Sequence, residues 1–140
     1  MTRRPQAMQA AIDAVGDYLA ALEAREVERA QARLHEGARI VGPGGNPATS
    51  VAGIVANSSR RYQWVGKHIE HYDAMPAGDG SVIVYCLGTL HGRWPDGTAF
   101  DGIRFIDRFE LREGRILSQQ VWNDAAEHRL RRAAAAAGTA

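Results

Sequence analysis

Four stretches of the second half, Trp64 to Met75, Ser81 to His91, Thr98 to Leu111 and Arg115 to Asp124, carry the alternating β-branched and aromatic residues of strands. Between them stand only the turn sequences Gly78-Asp79-Gly80, Pro95-Asp96-Gly97 and Glu113-Gly114. Loops of this length reverse a chain but cannot cross over a sheet, so consecutive strands pair antiparallel. Three successive hairpins are specified before any other element is placed.

The first half is helical. From Gln6 to Arg25 the residues Met8, Ile12, Val15, Leu19 and Leu22 recur at helical spacing, and Ala11, Tyr18 and Ala21 widen the stripe. Val27 to Leu34 reads as a second short helix stopped by Gly37, and Ala38-Arg39-Ile40-Val41 as a short strand. Gly42-Pro43-Gly44-Gly45-Asn46-Pro47 breaks regular structure, after which Ser50 caps a third helix reaching Arg61. Helices first and a meander afterwards predict an α+β domain, with the helices packed on one face of a curved sheet and a cavity between the layers. The domain spans residues 1–130, and the alanine-rich tail, 131–140, has little to bury and is expected to fray.

Composition narrows the function classes. A chain of 140 residues encloses one core and one site. A net charge of +1, with arginines scattered rather than massed among aromatics, offers no field for nucleic acid. Cys86 stands alone, which excludes an intrachain disulfide or a cysteine metal site and fits a reducing cytoplasm. No segment is apolar for long enough to span a membrane, and Met1-Thr2-Arg3-Arg4 lacks the apolar run of a signal peptide. His68 and His71, three apart on a strand, point to opposite faces, and no histidine pair has helical i, i+4 spacing, so no metal is expected. Gly42-Pro43-Gly44-Gly45 lacks the lysine and helix of a phosphate loop.

Within Ile103 to Leu111, period-two reading places Asp107 among Ile103, Phe105, Phe109 and Leu111 on the apolar face. Burying a carboxylate without a partner costs several kcal/mol, so the group finds a hydrogen bond or keeps its proton. Two readings follow: an acid satisfied by a tyrosine or amide to fix the fold, or a group poised for chemistry.

The element order, with Tyr18-Leu19-Ala20-Ala21-Leu22-Glu23-Ala24 and Ile106-Asp107-Arg108-Phe109-Glu110-Leu111-Arg112-Glu113-Gly114-Arg115-Ile116, resembles the nuclear transport factor 2-like superfamily. Its SnoaL-like and ketosteroid-isomerase-like branches are the nearest in pattern. The resemblance covers Asp17 to Asp124 and implies a cone-shaped α+β barrel. In ketosteroid isomerases a tyrosine of the first helix and a protonated aspartic acid in an Ile-Asp-His-Phe type motif together hold the enolate oxygen. Tyr18 and Asp107 match those positions, which implies donors preorganised where negative charge develops. The proton-shuttling aspartate of that family precedes a proline at the end of the first short strand, and here Gly42 precedes Pro43. The resemblance thus implies an oxyanion hole without its usual base.

Hairpin arithmetic points to other groups. A two-residue turn at Glu113-Gly114 sets Asp107 opposite Gln120 and Phe105 opposite Trp122, whereas a single bulge substitutes Gln119 and Asn123. A three-residue loop at Pro95-Asp96-Gly97 sets Asp107 opposite Tyr85 and Asp101 opposite His91. That pairs an imidazole with a carboxylate, either a general base or two solvated rim residues. Carried through the remaining hairpin, the register adds Trp64, His68 and Tyr72 to the cavity face, and Tyr62 is grouped with them. The expected catalytic set is Tyr18, Asp107, His91 and Asp101, and the expected substrate contacts are Tyr62, Trp64, His68, Tyr85, Phe105, Gln120, Trp122 and Asn123.

Together these readings predict a small cofactor-free enzyme acting on an apolar carbonyl-containing metabolite by isomerisation, cyclisation or dehydration. The alternative is a non-catalytic domain that binds a small molecule or a protein. A homodimer is expected through the outer sheet face that carries Arg104, Ile106, Arg108 and Glu110.

Overall fold

The apolar stripe of the first segment forms α1, Gln6–Glu23, in the computed structural model, which describes residues 4–138. Its inner face buries Met8, Ile12, Val15, Tyr18 and Leu19. After α2, Val27–Gln31, the chain enters β1, Leu34–Val41, sooner than its periodicity suggests. Leu34, Ala38 and Ile40 all bury in the core, and that burial draws the strand back to Leu34. Gly37 therefore does not stop a helix; at φ +78° it sits inside β1, where the register against the last strand shifts. A turn of 3-10 helix, Pro43–Gly45, and a two-residue strand β2, Pro47–Ala48, lead to α3, Val51–Ser59. The Ser50 hydroxyl caps α3, accepting from the Gly53 N–H at 3.1 Å.

The meander forms as expected: β3, Trp64–Pro76, β4, Val82–Arg93, β5, Ala99–Arg112, and β6, Arg115–Asn123. Strands order as β2-β1-β6-β5-β4-β3, with β1 alone joining its neighbour β6 in parallel. This is an α+β fold, an unclosed six-stranded sheet with helices against its inner face. Val84, Cys86, Leu90, Ile103, Phe105, Phe109 and Leu111 share one core with the buried face of α1, and the Tyr18 ring packs edge-on against Phe109 at 6.0 Å between centroids.

Bulges interrupt all three hairpins: between Ile69 and His71 of β3, between Leu90 and Gly92 where β4 faces β5, and between Glu110 and Leu111 where β5 faces β6. Because strand side chains alternate with period two, each bulge exchanges the faces of the residues beyond it.

As far as Gly138, the last residue described, the C-terminal tail is helical. Residues Ala125–Gly138 form α4, in which the alanine run propagates with the best intrinsic helix former. The Arg129 guanidinium lies over Tyr62 and Trp94, at 5.5 and 5.2 Å, and Arg132 over Trp94 at 5.3 Å. Arg132 also donates to Asp96 at 2.8 Å. The backbone N–H of Thr98, then the Arg132 guanidinium, hold the Asp96 carboxyl down to about 2. A depressed carboxylate contributes stability that is complete above its ordinary value of 3.8 and is lost as pH falls through about 2. Trp94 emission, followed in a Trp64→Phe, Trp122→Phe background, should therefore change between pH 4 and 2 as Arg132 is released. A change of the same size in Asp96→Ala would contradict the assignment.

Candidate active site

Between the C-terminal end of α1, the Pro43–Gly45 turn, α3 and the sheet lies a part-open cavity of about 170 Å³. Leu19, Leu22, Ile40, Ile54, Val65, Leu90 and Val121 give it apolar walls. Its polar lining includes Glu23, Arg25, Asn57, Arg61, Lys67, Gln119 and Asn123. A dry cavity of roughly 150 Å³ holds one benzene ring, so the enclosed part suits a compact ring system, with larger ligands projecting through the mouth. Gly42 and Pro43 form part of the wall. The position where the resembling isomerases carry their base thus faces the cavity with no side chain.

Asp107 is fully buried, and its Oδ2 accepts from Lys67 Nζ at 2.5 Å. Lys67 comes from β3, lies with its Nζ 4.8 Å from the Phe105 ring centroid, and lines the cavity. The buried carboxylate therefore has a counter-ion whose other side meets the ligand space. Burial pushes the Asp107 carboxyl up, opposed by the Lys67 ammonium and the Gln119 amide. Its Oδ1 is buried without a hydrogen bond of standard geometry. Tyr18, also fully buried, donates to Gln119 Oε1 at 2.8 Å. That bond fixes the amide, so Nε2 is the end of Gln119 left to donate. Burial and then the Asp107 charge push the Tyr18 phenol up, and the same two causes take the Cys86 thiol up to about 12. Both groups stay protonated.

The structure brings only part of the expected site together. Tyr18 and Asp107 are connected through Gln119, and Asp107 is paired with Lys67, but neither Tyr18 nor Asp107 lines the cavity. Asp101 is exposed, with its carboxylate on the Gly102 N–H at 2.7 Å, and the His91-Asp101 pair does not form, because the bulge falls at their level. That bulge also brings Cys86, not Tyr85, opposite Asp107, and turns Tyr85 outward beside Arg108. His91 stacks on His68 at 3.9 Å and meets the edge of Trp64 at 5.5 Å. The β3 bulge puts Trp64 and His68 on that outer surface while Tyr72 stays inside. On β6 the single-bulge register holds: Phe109 faces Gln119 and Phe105 faces Asn123. Gln120 and Trp122 therefore point outward, Trp122 half exposed. Of the expected contacts, Tyr62 and Asn123 line the cavity and Phe105 lies behind Lys67.

Lys67, Glu23, Arg25 and Arg61 were not singled out by sequence. Lys67 had a signal, since Val65 and Lys67 share one phase of β3 and a lysine in phase with a valine is unusual on a half-buried strand. Glu23 Oε1 accepts the Lys67 backbone N–H at 2.8 Å on the edge strand of the sheet. It comes within 2.6 Å of where a Gly66 side chain would begin, and His91 Nε2 within 2.8 Å, so a side chain there would displace the Glu23 carboxylate and the His91 imidazole.

Residues 15–119 match the SnoaL-like domain family, three quarters of the chain. The chain belongs to the SnoaL-like family. Solved structures agree on the fold of this SnoaL-like chain. TerC, co-crystallised with polyporic acid, superposes with a TM-score of 0.68 at 20% identity, covering 86% of this chain and 95% of that one. Aln2 from a Streptomyces species gives 0.70 at 16% identity, covering 93% and 99%. ActVI-ORFA from Streptomyces coelicolor gives 0.64 at 18%, covering 83% and 96%. No curated protein matches the chain.

Removing one partner of a buried ion pair costs about 3–5 kcal/mol when the other charge stays unpaired. In Lys67→Met, Asp107 loses the ammonium that opposes its desolvation, so its folded-state affinity for a proton rises further. A carboxyl raised in the folded state penalises folding progressively as pH climbs above its ordinary value of 3.8. The melting temperature of Lys67→Met should therefore fall further behind the parent between about pH 4 and pH 8. Parallel curves would contradict the buried pairing.

Proposed function

We propose that this SnoaL-like domain is a cofactor-free enzyme acting on a compact, apolar, carbonyl-containing ring metabolite by isomerisation, cyclisation or dehydration. The observation that carries the reading is the Lys67 ammonium, held 2.5 Å from the buried Asp107 and lining an apolar cavity. A cation fixed in advance, in a site that excludes most water, stabilises an oxyanion without reorganisation at the moment of reaction. In this scheme Lys67 Nζ and Gln119 Nε2 hold the developing oxyanion, and Asp107 and Tyr18 position them from behind. This revises the oxyanion hole expected from the resemblance, in which Tyr18 and Asp107 donate directly.

Glu23 is the only carboxylate among the described residues that line the cavity, and it takes the place of the base missing at Gly42. It removes the proton from the carbon next to the carbonyl, the C–H electron pair forms the carbon–carbon double bond while the carbonyl π pair moves onto oxygen as an enolate held by Lys67, and Glu23 returns the proton at carbon. The homodimer is kept within the proposal, through the outer face where Trp64, Met75 and Trp122 stand 45%, 45% and 51% exposed.

Two measurements test the scheme. Affinity for substituted 2-naphthols, as enolate mimics, should rise with their acidity and fall roughly 10- to 100-fold in Lys67→Met, with Lys67→Arg retaining most of it. The protein should also accelerate exchange of the α-hydrogens of 2-tetralone with D2O, at least about 100-fold more than Glu23→Gln does. Tight naphthol binding with no accelerated exchange would favour the non-catalytic binding domain. Affinity indifferent to naphthol acidity would remove the oxyanion site.

A further inference from the structure

The mouth of the cavity is built from arginine at a backbone cost. Arg25 closes the C-terminus of α1 with φ +59°, its N–H bonded to Leu22 O and the Glu26 N–H to Ala21 O. A helix that ends this way normally places glycine in the left-handed position, because a Cβ is strained there. Arg25 accepts the strain, makes no ion pair among the described residues, and lines the cavity. Arg61, following α3, lines the same cavity, and its only side-chain hydrogen bond among the described residues is a long one, 3.4 Å, to the Pro43 carbonyl. A second, polar hollow opens beside it, lined by Asn46, Pro47, Asn57, Arg60 and Arg61, so that Asn46, Asn57 and Arg61 belong to both. The acid nearest this rim, Glu23, is engaged by the Lys67 N–H. Two arginines therefore line the cavity without an ion pair to a carboxylate among the described residues. Non-glycine residues held at positive φ cluster where a ligand or a switch requires the strained side chain.

We propose that the ligand of this cavity carries an anionic group, a carboxylate, which Arg25 and Arg61 clamp at the mouth while its apolar ring body fills the interior. The inference rests on the reading of the cavity as a small-molecule site and adds the class of molecule: a cyclic keto acid, whose carboxylate is separate from the carbonyl that reacts, rather than an uncharged ketone. Guanidinium forks match the planar carboxylate in geometry as well as charge, and Asn46 and Asn57 supply further polar contacts in the adjoining hollow. Arg25 and Arg61 are specificity-determining residues in this scheme, distant from the proton transfer.

Calorimetric titration with 2-naphthoate and with its neutral counterpart 2-naphthamide tests the clamp. The acid should bind roughly tenfold or more tightly than the amide, and the preference should shrink as salt is raised. Arg61→Gln and Arg25→Gly should each erase most of that preference and leave amide binding within about twofold. Arg25→Gly carries a second signature that a merely structural residue would not: relief of the left-handed strain should raise the melting temperature by roughly 2–5 °C while affinity for the acid falls. Equal binding of acid and amide, or a preference unchanged in both variants, overturns the clamp and leaves the cavity reading standing. Failure of both probes to bind at millimolar concentration contradicts the clamp and the cavity reading together.

Discussion

A carboxylate buried at the centre of a sheet needs a counter-charge, and the pair of Asp107 with Lys67 answers that need in a way that shapes the site. Asp107 stands on β5 with no solvent exposure, and its desolvation is opposed in part by one ammonium at 2.5 Å. The Lys67 stem reaches it along the Phe105 ring and leaves its charged end at the wall of an apolar cavity. Tyr18 does the corresponding service for Gln119, fixing the amide oxygen from inside the core. Two groups that sequence pattern marks as reactive thus sit one layer back, and the groups they hold face the ligand space.

Most of the fold was legible because its signals are local. Turn chemistry set the hairpins, helical spacing set α1, and Ser50 marked the start of α3. The site was less legible because it depends on register, and register depends on bulges that pattern alone does not announce. Near the Pro95-Asp96-Gly97 turn Arg93 faces Ala99 as the simple arithmetic requires, but one bulge further along replaces Tyr85 with Cys86 opposite Asp107. In β3 the bulge after Ile69 reverses the phase: counting back from Tyr72 selects His68 and Trp64, whereas the chain presents Val65 and Lys67 to the cavity. In the last hairpin a single bulge is one of the two registers the Glu113-Gly114 turn allows, and it brings Gln119 and Asn123 to the cavity.

Charge and strain divide the cavity into two ends. Deep inside, one compensated cation meets aliphatic walls, an arrangement suited to an oxygen that gains charge only during reaction. At the mouth, Arg25 and Arg61 stand without acidic partners among the described residues, an arrangement suited to a charge the ligand already carries. The backbone strain at Arg25 and the bare position at Gly42 both fall on the lining of the cavity, where the proposed ligand would account for a departure from the rules of helix capping and from the family pattern.

The crystal structure of the protein with 2-naphtholate bound tests most directly whether Asp107 acts through Lys67. The account predicts the naphtholate oxygen at roughly 3 Å from Lys67 Nζ, with the Lys67–Asp107 contact intact and Tyr18 still on Gln119. An oxygen held directly by Tyr18 and Asp107, with Lys67 displaced from the carboxylate, would contradict it.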